Sequence, residues 1–287
     1  MAKRKIHPGT IRILCQLAVM VTLLVVLLVL IGKVWLDMGA QPEETEPVEQ
    51  TAGTSATEQT EPLDTSPDGL YAAFMESNGL TEADYPAWFP EALELSGENL
   101  DFLLNYPYRY GVPQTVDISD VSRDTVPLFI QWDDRWGYLD YNGNVCGISG
   151  CGPTCLSMVA YYLTGKAEYT PSYMIAFATE NRYAVPGSGT DWSLMSAGAK
   201  KLGLESEVLP AVESRVAARL KAGIPVIASV KPGVFTQVGH YIVLVGYEDG
   251  KFRVNDPNSY ERSARLWEWE EFIGDVRNFW AISLPEE

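Results

Sequence analysis

The chain has 287 residues, of which 46% are hydrophobic and 11% aromatic, enough for one or two folded domains with a buried core. It contains 38 acidic residues against 21 Lys and Arg, so its net charge is −17. An acidic body repels phosphate backbones, which argues against nucleic acid as a partner. Two histidines, His7 and His240, are too few for a His-rich metal site, and the four cysteines form no CxxC pair. We therefore expect no metal and no organic cofactor.

The N-terminal 32 residues have the pattern of a membrane anchor. Residues 13–32 carry no charge, and a helix of that length spans about 30 Å, the thickness of the hydrocarbon core. Basic residues lie in the preceding segment, 1–12, and acidic residues follow the apolar run. The positive-inside tendency predicts a cytoplasmic tail, one transmembrane helix and an extracellular body. A cleaved signal peptide is the alternative, and it would also export the body.

Two segments separate this anchor from the main domain. Residues 33–68 are acidic and rich in Thr, Pro and Ser, a composition that predicts a disordered linker. Residues 69–126 show apolar residues at roughly helical spacing, interrupted by prolines. We expect a helical lead-in that packs on the main domain. A pro-segment that occludes the site is the alternative.

Residues 127–287 are expected to form the main domain, with helices first and strands later, which predicts an α+β fold with an antiparallel sheet. A short strand is predicted at 128–130. Helices are predicted at 153–163, from 170–171, from 190–191 to 203, and at 212–222. Strands are predicted at 224–230, 240–247, 251–255 and 278–284.

Cys151 has the local sequence of a reactive thiol. Glycines stand on both sides of it, and they allow a substrate to approach the backbone closely. The predicted helix that follows points its positive end and free N–H groups at the thiol, an environment that favours the thiolate. Cys155, one turn later, is expected in the core. Cys146 is either free or bridged to Cys155.

His240 is the sole candidate for a general base outside the predicted membrane segment. A base needs an orienting group, and the next predicted strand ends with Asn255 and Asp256. A two-residue turn at 249–250 would put Asn255 on the face of His240. A three-residue loop with a glycine bulge would put Asp256 there, and we favour this loop because Gly250 is its third residue.

Four motifs follow one another along this domain: QWDxRWG at 131–137, GCGPT at 150–154, GHYIVLVGY at 239–247 and VNDP at 254–257. Together they resemble the peptidase C39-like family of the papain-like cysteine peptidase clan. The resemblance implies a papain-like fold with Cys151 as nucleophile, His240 as base and Asp256 as orienting group. It also suggests Gln131 as an oxyanion donor, although Gln131 lies further from the cysteine than in the bacteriocin-processing members.

The sequence therefore predicts a cysteine peptidase that acts on a peptide or protein substrate. The chain has no GxxxxGK[ST] motif of the family's transporter-linked members, so cleavage after a double-glycine leader is not carried over. Hydrolysis of cell-wall peptide amides, acyl transfer and non-catalytic peptide binding are the alternatives. Trp192 and Phe235 are candidates either for apolar subsites or for packing.

Overall fold

The computed structural model describes residues 64–187 and 189–286 of the chain. The predicted cytoplasmic tail 1–12, the predicted anchor 13–32 and residues 33–63 of the predicted linker lie outside these residues. Across the described ranges, no helix combines the length and the apolar character needed to cross a bilayer.

Four helices form the predicted lead-in, and short turns separate them. They are α1 (Pro67–Asn78), α2 (Phe89–Glu94), α3 (Leu100–Leu104) and α4 (Tyr106–Arg109). Helix α1 begins where the Ser66 side chain accepts the N–H of Gly69, and it ends at Gly79 in the left-handed conformation. The buried aromatic residues of this segment, among them Phe89 and Phe102, share a small core with Tyr138. The lead-in is therefore packed on residues that follow it in the chain.

Seven further helices follow in the described part of the chain. They are α5 (Cys146–Ser149), α6 (Cys151–Thr164), α7 (Pro171–Glu180), α8 (Ala197–Lys201), α9 (Glu213–Lys221), α10 (Tyr260–Ala264) and α11 (Trp269–Phe272). Helix α6 is the most buried of the longer ones, since ten consecutive residues, 152–161, are buried. It ends at Gly165, which has a φ of 70°. This burial fixes α6, and with it the position of its first residue, Cys151.

Ten strands are formed within the described residues. They are β1 (Asp140–Tyr141), β2 (Asn144–Val145), β3 (Ala184–Val185), β4 (Gly189–Thr190), β5 (Glu205–Leu209), β6 (Val226–Val230), β7 (His240–Glu248), β8 (Lys251–Asn255), β9 (Leu266–Trp267) and β10 (Val276–Ser283). Six of them make an antiparallel sheet in the order β5-β10-β6-β7-β8-β9, and β1-β2 and β3-β4 are separate hairpins. The chain thus has a mixed α/β fold with antiparallel sheets.

Helices cover the sheet on both faces. Tyr241 and Val243 of β7 pack in the core that contains α6. Ile242 and Leu244 pack in a second core with α9. Strand β7 is therefore buried on both faces, which the unbroken apolar run of its sequence predicts.

Two predicted elements differ from the structure. Residues 128–130 form no strand; the neighbouring backbone is held by single hydrogen bonds, including one from the Gln131 N–H to the carbonyl of Pro257 at 2.7 Å. The helix predicted from 190–191 to 203 is broken into a 3-10 turn at Trp192–Met195 and α8. Strands β5 and β9 were not predicted, because β5 is largely exposed at the sheet edge and β9 has only two residues.

The predicted three-residue loop between β7 and β8 is wrong. The turn has two residues, Asp249 and Gly250, with φ values of 50° and 83°, and Glu248 faces Lys251 across it. Positive φ at both central positions is the geometry of a type I′ hairpin, which matches the strand twist.

Candidate active site

Cys151 is the first residue of α6 and is half-buried. The glycine that follows it is required by close packing: a Cβ at Gly152 would lie 2.8 Å from the side chain of Thr190 on β4. The β3-β4 hairpin therefore contacts the α6 N-terminus beside the thiol. Cys151 is consequently held between a buried helix and a packed hairpin, with its side chain partly open to solvent.

The structure brings Cys151, His240 and Asp256 together. Cys151 lies close enough to the His240 imidazole to help raise the pKa of that ring. His240 Nε2 lies 2.8 Å from Asp256 Oδ1, and both side chains are buried. Because Nε2 is taken by the carboxylate, Nδ1 is the ring nitrogen that can serve the thiol.

The Asp256 carboxylate is fully buried, and further donors satisfy it. The backbone N–H of Asn258 donates to Oδ1 at 2.8 Å, and Arg262 Nε donates to Oδ2 at 2.6 Å. The Asp256 backbone N–H donates to Ser263 Oγ at 2.9 Å. A buried carboxylate with a cation and several donors stays ionised and fixed in orientation.

The charges of this pair stabilise each other. Burial lowers the pKa of His240, but the Asp256 carboxylate and the hydrogen bonds outweigh burial and raise it above its ordinary value. Burial raises the pKa of Asp256, and His240 and Arg262 outweigh it, so that the pKa falls below its ordinary value. The arrangement therefore favours an imidazolium beside an ionised carboxylate.

Gln131 lies in the same region and is buried, with 3% of its surface exposed. Its Nε2 donates to the carbonyl of Gly147 at 2.9 Å, and its backbone N–H donates to the carbonyl of Pro257, the residue after Asp256. These two contacts tie Gln131 both to the segment that leads into α6 and to the segment that carries the carboxylate. Its Oε1 has no hydrogen-bond partner among the described residues.

Comparison with known protein families assigns the chain to one of them. The model of the Peptidase_C39 like family matches residues 123–283, which is more than half of the chain. The chain belongs to the peptidase C39-like family. It is accordingly a cysteine peptidase-like hydrolase, and the family resemblance carried by its four sequence motifs is confirmed. Among curated proteins, none matches the chain.

Three of the solved structures that are similar to this chain are as follows. The first is the peptidase domain of Streptococcus ComA, a bi-functional ABC transporter involved in a quorum sensing pathway, at 20% identity over 56% of this chain and 99% of that domain, with a TM-score of 0.40. The second is a C39-like peptidase from Bacillus anthracis, at 15% identity over 60% and 98%, with a TM-score of 0.37. The third is a double glycine motif protease from an AMS/PCAT transporter in complex with the leader peptide, at 18% identity over 60% and 100%, with a TM-score of 0.38.

The other two described cysteines of this C39-like chain differ from Cys151 in their surroundings. Cys146 and Cys155 are free and fully buried, so the bridge between them that the sequence left open is not formed. Burial raises the pKa of both thiols well above the ordinary value. The structure therefore leaves Cys151 as the described cysteine that a substrate can reach.

The two aromatic candidates for apolar subsites have different positions. Phe235 is 2% exposed and packs against Trp267 with ring centres 4.4 Å apart, so it belongs to the core. Trp192 is 45% exposed, and it packs edge-on against Trp280. Trp192 is therefore the one of the two that has surface open to a ligand.

Several residues that hold the site were not singled out in the sequence. Tyr141 Oη is 2.8 Å from Thr190 Oγ1, and Tyr241 Oη donates to the carbonyl of Thr190 at 2.9 Å, so two tyrosines hold the hairpin beside α6. Such long-range contacts have no local sequence signal. The Asn258 contact had one, because Asp-Pro-Asn is a turn sequence in which Asp side chains accept a backbone N–H two residues on.

Proposed function

We propose that this protein is a cysteine peptidase that hydrolyses peptide bonds with Cys151 as nucleophile, His240 as base and Asp256 as orienting group. One observation carries the proposal: a fully buried carboxylate holds Nε2 of the His240 imidazole at 2.8 Å, and Cys151, at the start of α6, lies close enough to that ring to help raise its pKa. This is the arrangement that activates a nucleophile through a base and an orienting third group. Membership of the C39-like family supports it.

In the proposed mechanism the Cys151 thiolate attacks the carbonyl carbon of the scissile peptide bond. The His240 imidazolium, which Asp256 stabilises, then gives its proton to the leaving amine, and the C–N bond breaks to leave a thioester on Cys151. Water enters, His240 takes one of its protons, and the resulting hydroxide displaces the Cys151 sulfur. The products are a carboxylic acid and an amine, and the enzyme regains its thiolate–imidazolium pair.

Gln131 is proposed to stabilise the tetrahedral intermediate. Its amide carries two N–H donors, and the Gly147 carbonyl takes one of them at 2.9 Å. The second donor and the backbone N–H of Cys151, at the start of α6, would serve the oxyanion. Burial supports this role, because a donor shielded from water acts more strongly on a developing charge.

The cellular setting is part of the proposal and rests on the sequence. Residues 13–32 would cross the membrane once, with 1–12 in the cytoplasm and 33–68 as an extended tether. The catalytic domain, 127–287, would have a papain-like fold and act outside the cell on a peptide or protein.

The test compares the full-length protein in detergent with Cys151→Ala. Both are incubated with a defined peptide library and, separately, with purified peptidoglycan, and products are identified by mass spectrometry. We expect new peptide termini with the wild type alone, and a thioester on Cys151 when the reaction is quenched in acid. Cleavage by Cys151→Ala at the wild-type rate would contradict the proposal. If products form from peptidoglycan and not from the peptide library, the protein is a cell-wall amidase that uses the same residues.

A further inference from the structure

Helix α10, which carries Arg262, is held by a residue of the lead-in. Glu98 lies between α2 and α3, far from α10 in sequence, yet its Oε1 accepts a hydrogen bond from Ser259 Oγ. Its Oε2 accepts the backbone N–H groups of Tyr260 at 2.8 Å and Glu261 at 3.3 Å. The lead-in thus supplies the negative charge and the acceptors that the first turn of a helix needs.

The helix that Glu98 caps is too short to hold its shape alone. Helix α10 has five residues, and isolated helices below about 12 residues are marginal in water. Its N-cap is Ser259, whose Oγ accepts the N–H of Arg262 at 3.0 Å and donates to Glu98. The external contacts are the Glu98 carboxylate, the edge-on packing of Tyr260 against Trp132, and the bond from Arg262 Nε to Asp256 Oδ2 at 2.6 Å. Removing the cap should loosen the guanidinium that faces the buried carboxylate.

A second group of contacts joins the lead-in to the residues around Gln131. The ring of Phe102 lies over Gly147, whose carbonyl accepts the Gln131 amide. Tyr138 stacks on Phe102 with ring centres 4.2 Å apart and donates its hydroxyl to the Phe102 carbonyl at 2.8 Å. The lead-in therefore touches the supports of both Asp256 and Gln131.

We propose that Glu98 and Arg262 are positioning residues for the reaction, and that the lead-in is a working part of the enzyme instead of a detachable pro-segment. Glu98 fixes α10, α10 presents Arg262, and Arg262 fixes the Asp256 carboxylate that orients His240. This inference rests on the proposed role of Asp256.

The physical effect of losing either residue follows from the two oxygens of Asp256. His240 and the Asn258 N–H bind Oδ1, whereas Arg262 binds Oδ2. Without Arg262 the carboxylate can rotate, and it loses a cation at full burial. The titratable groups that face Asp256 are then His240 from β7 and Cys155 from α6. Loss of the cation should raise the pKa of Asp256. Because the active form needs the ionised carboxylate, acidification should inactivate the variant at a higher pH than it inactivates the wild type.

The experiment uses the full-length protein and measures kcat, KM, the pH dependence of kcat/KM and thermal unfolding. We expect Arg262→Gln and Glu98→Ala each to lower kcat by roughly 10- to 100-fold with KM nearly unchanged, because misplaced catalytic groups cost that much in rate. The acidic limb of the pH profile should move to higher pH, and Arg262→Lys should restore part of kcat. Glu94→Ala, an exposed acid of α2, and Arg253→Gln, in an exposed pair with Glu248, are the matched controls.

The inference is overturned if both variants keep the wild-type kcat and acidic limb, or if they lower only the unfolding temperature. Asp256→Ala distinguishes this failure from that of the proposed function. If Asp256→Ala loses activity while Arg262→Gln and Glu98→Ala do not, the positioning role alone is wrong. If Asp256→Ala is fully active, the proposed function itself fails and this inference fails with it.

Discussion

His240 Nε2 and Asp256 Oδ1 lie 2.8 Å apart because β7 carries one residue more than β8 between them and the turn. Gly246 faces Arg253 near the turn, but Leu244 faces Val254 further along, so Val245 has no partner. A bulge of this kind shifts the register by one residue, which exchanges the faces of the following side chains. The shift puts Asp256, and not Asn255, on the side of His240.

Replacing Asp256 and Asn255 separately by alanine tests this arrangement directly. We expect Asp256→Ala to lower kcat per folded molecule about 100-fold or more, since the imidazolium loses the group that orients and stabilises it. Asn255→Ala should instead cost about 1–3 kcal/mol of unfolding free energy. Its Nδ2 donates to the carbonyls of Val126 and Pro127 at 3.0 Å each, and these would be left unsatisfied in the interior.

Both variants are measured by active-site-normalised kinetics and urea unfolding. Asn255→Ala should retain kcat in the fraction that is folded. Equal losses of kcat in the two variants would mean that the bulge does not decide which side chain serves His240.

The pair should also leave a signature in the pH dependence of stability. The lowered pKa of Asp256 contributes stability that is present above about pH 4 and is lost as pH falls through the folded-state pKa. The raised pKa of His240 contributes stability that is present below about pH 6.5 and is lost as pH rises through the folded-state pKa. The difference in unfolding free energy between the wild type and Asp256→Ala should therefore be widest between about pH 4 and 6.5.

Urea unfolding at several pH values measures this difference. Glu248→Ala is the control, because Glu248 also has a lowered pKa beside Arg253 but is exposed, where solvent screens the pair. If the difference in unfolding free energy between the wild type and Asp256→Ala is constant from acid to alkaline pH, the charges of His240 and Asp256 do not stabilise each other.

The three described cysteines should differ in their reaction with an alkylating reagent. In the native full-length protein we expect Cys151 to be labelled at least about tenfold faster than Cys146 or Cys155, because the latter are inaccessible and burial raises their pKa. Peptide mapping after a timed reaction with iodoacetamide gives each rate, and urea should abolish the difference. Labelling of Cys155 at the rate of Cys151 in native protein would contradict it.

The sequence predicts the parts of this site that local patterns encode. The glycines around Cys151, the proline after it and the apolar run after His240 predicted the helix and the buried strand, and the structure has both. The turn was mispredicted, and Asp256 still lies beside His240, because two departures from the expectation compensate: a two-residue turn and the bulge at Val245. A bulge depends on packing between strands, so the order of residues along one strand does not encode it.

The support of the site by the lead-in could not be predicted for a related reason. Glu98 looks like any exposed acid in a polar stretch, and its partners, the N–H groups of 260 and 261, are more than 160 residues away. Arg262 likewise follows a turn, and its separation from Asp256 along the chain matches no local sequence motif. Only the folded chain brings these groups within hydrogen-bond distance.

Packing between the lead-in and the segment before α6 can be tested at Gly147. A Cβ at this position would overlap the Phe102 ring, so we expect Gly147→Ala to lower the unfolding free energy by about 1–3 kcal/mol. Phe102→Leu in the same chain should recover part of that loss, which a double-mutant cycle by urea unfolding measures. Gly97→Ala is the control, because its Cβ would enter open space. If the losses of unfolding free energy in the two single variants add up in the double variant, the side chains at 102 and 147 do not interact.

The variant Gln131→Ala distinguishes a catalytic role of the Gln131 side-chain amide from a purely structural role. As an oxyanion donor it would act mainly in the transition state, so Gln131→Ala should lower kcat by about 10²–10³-fold with KM little changed. As a structural residue it would contribute only its bond to the Gly147 carbonyl, about 1 kcal/mol, with kcat per folded molecule unchanged. Steady-state kinetics normalised to folded protein separate the two, with Gln114→Ala, an exposed glutamine, as control. Retention of the wild-type kcat by Gln131→Ala would leave the backbone N–H groups at the start of α6 as the oxyanion site.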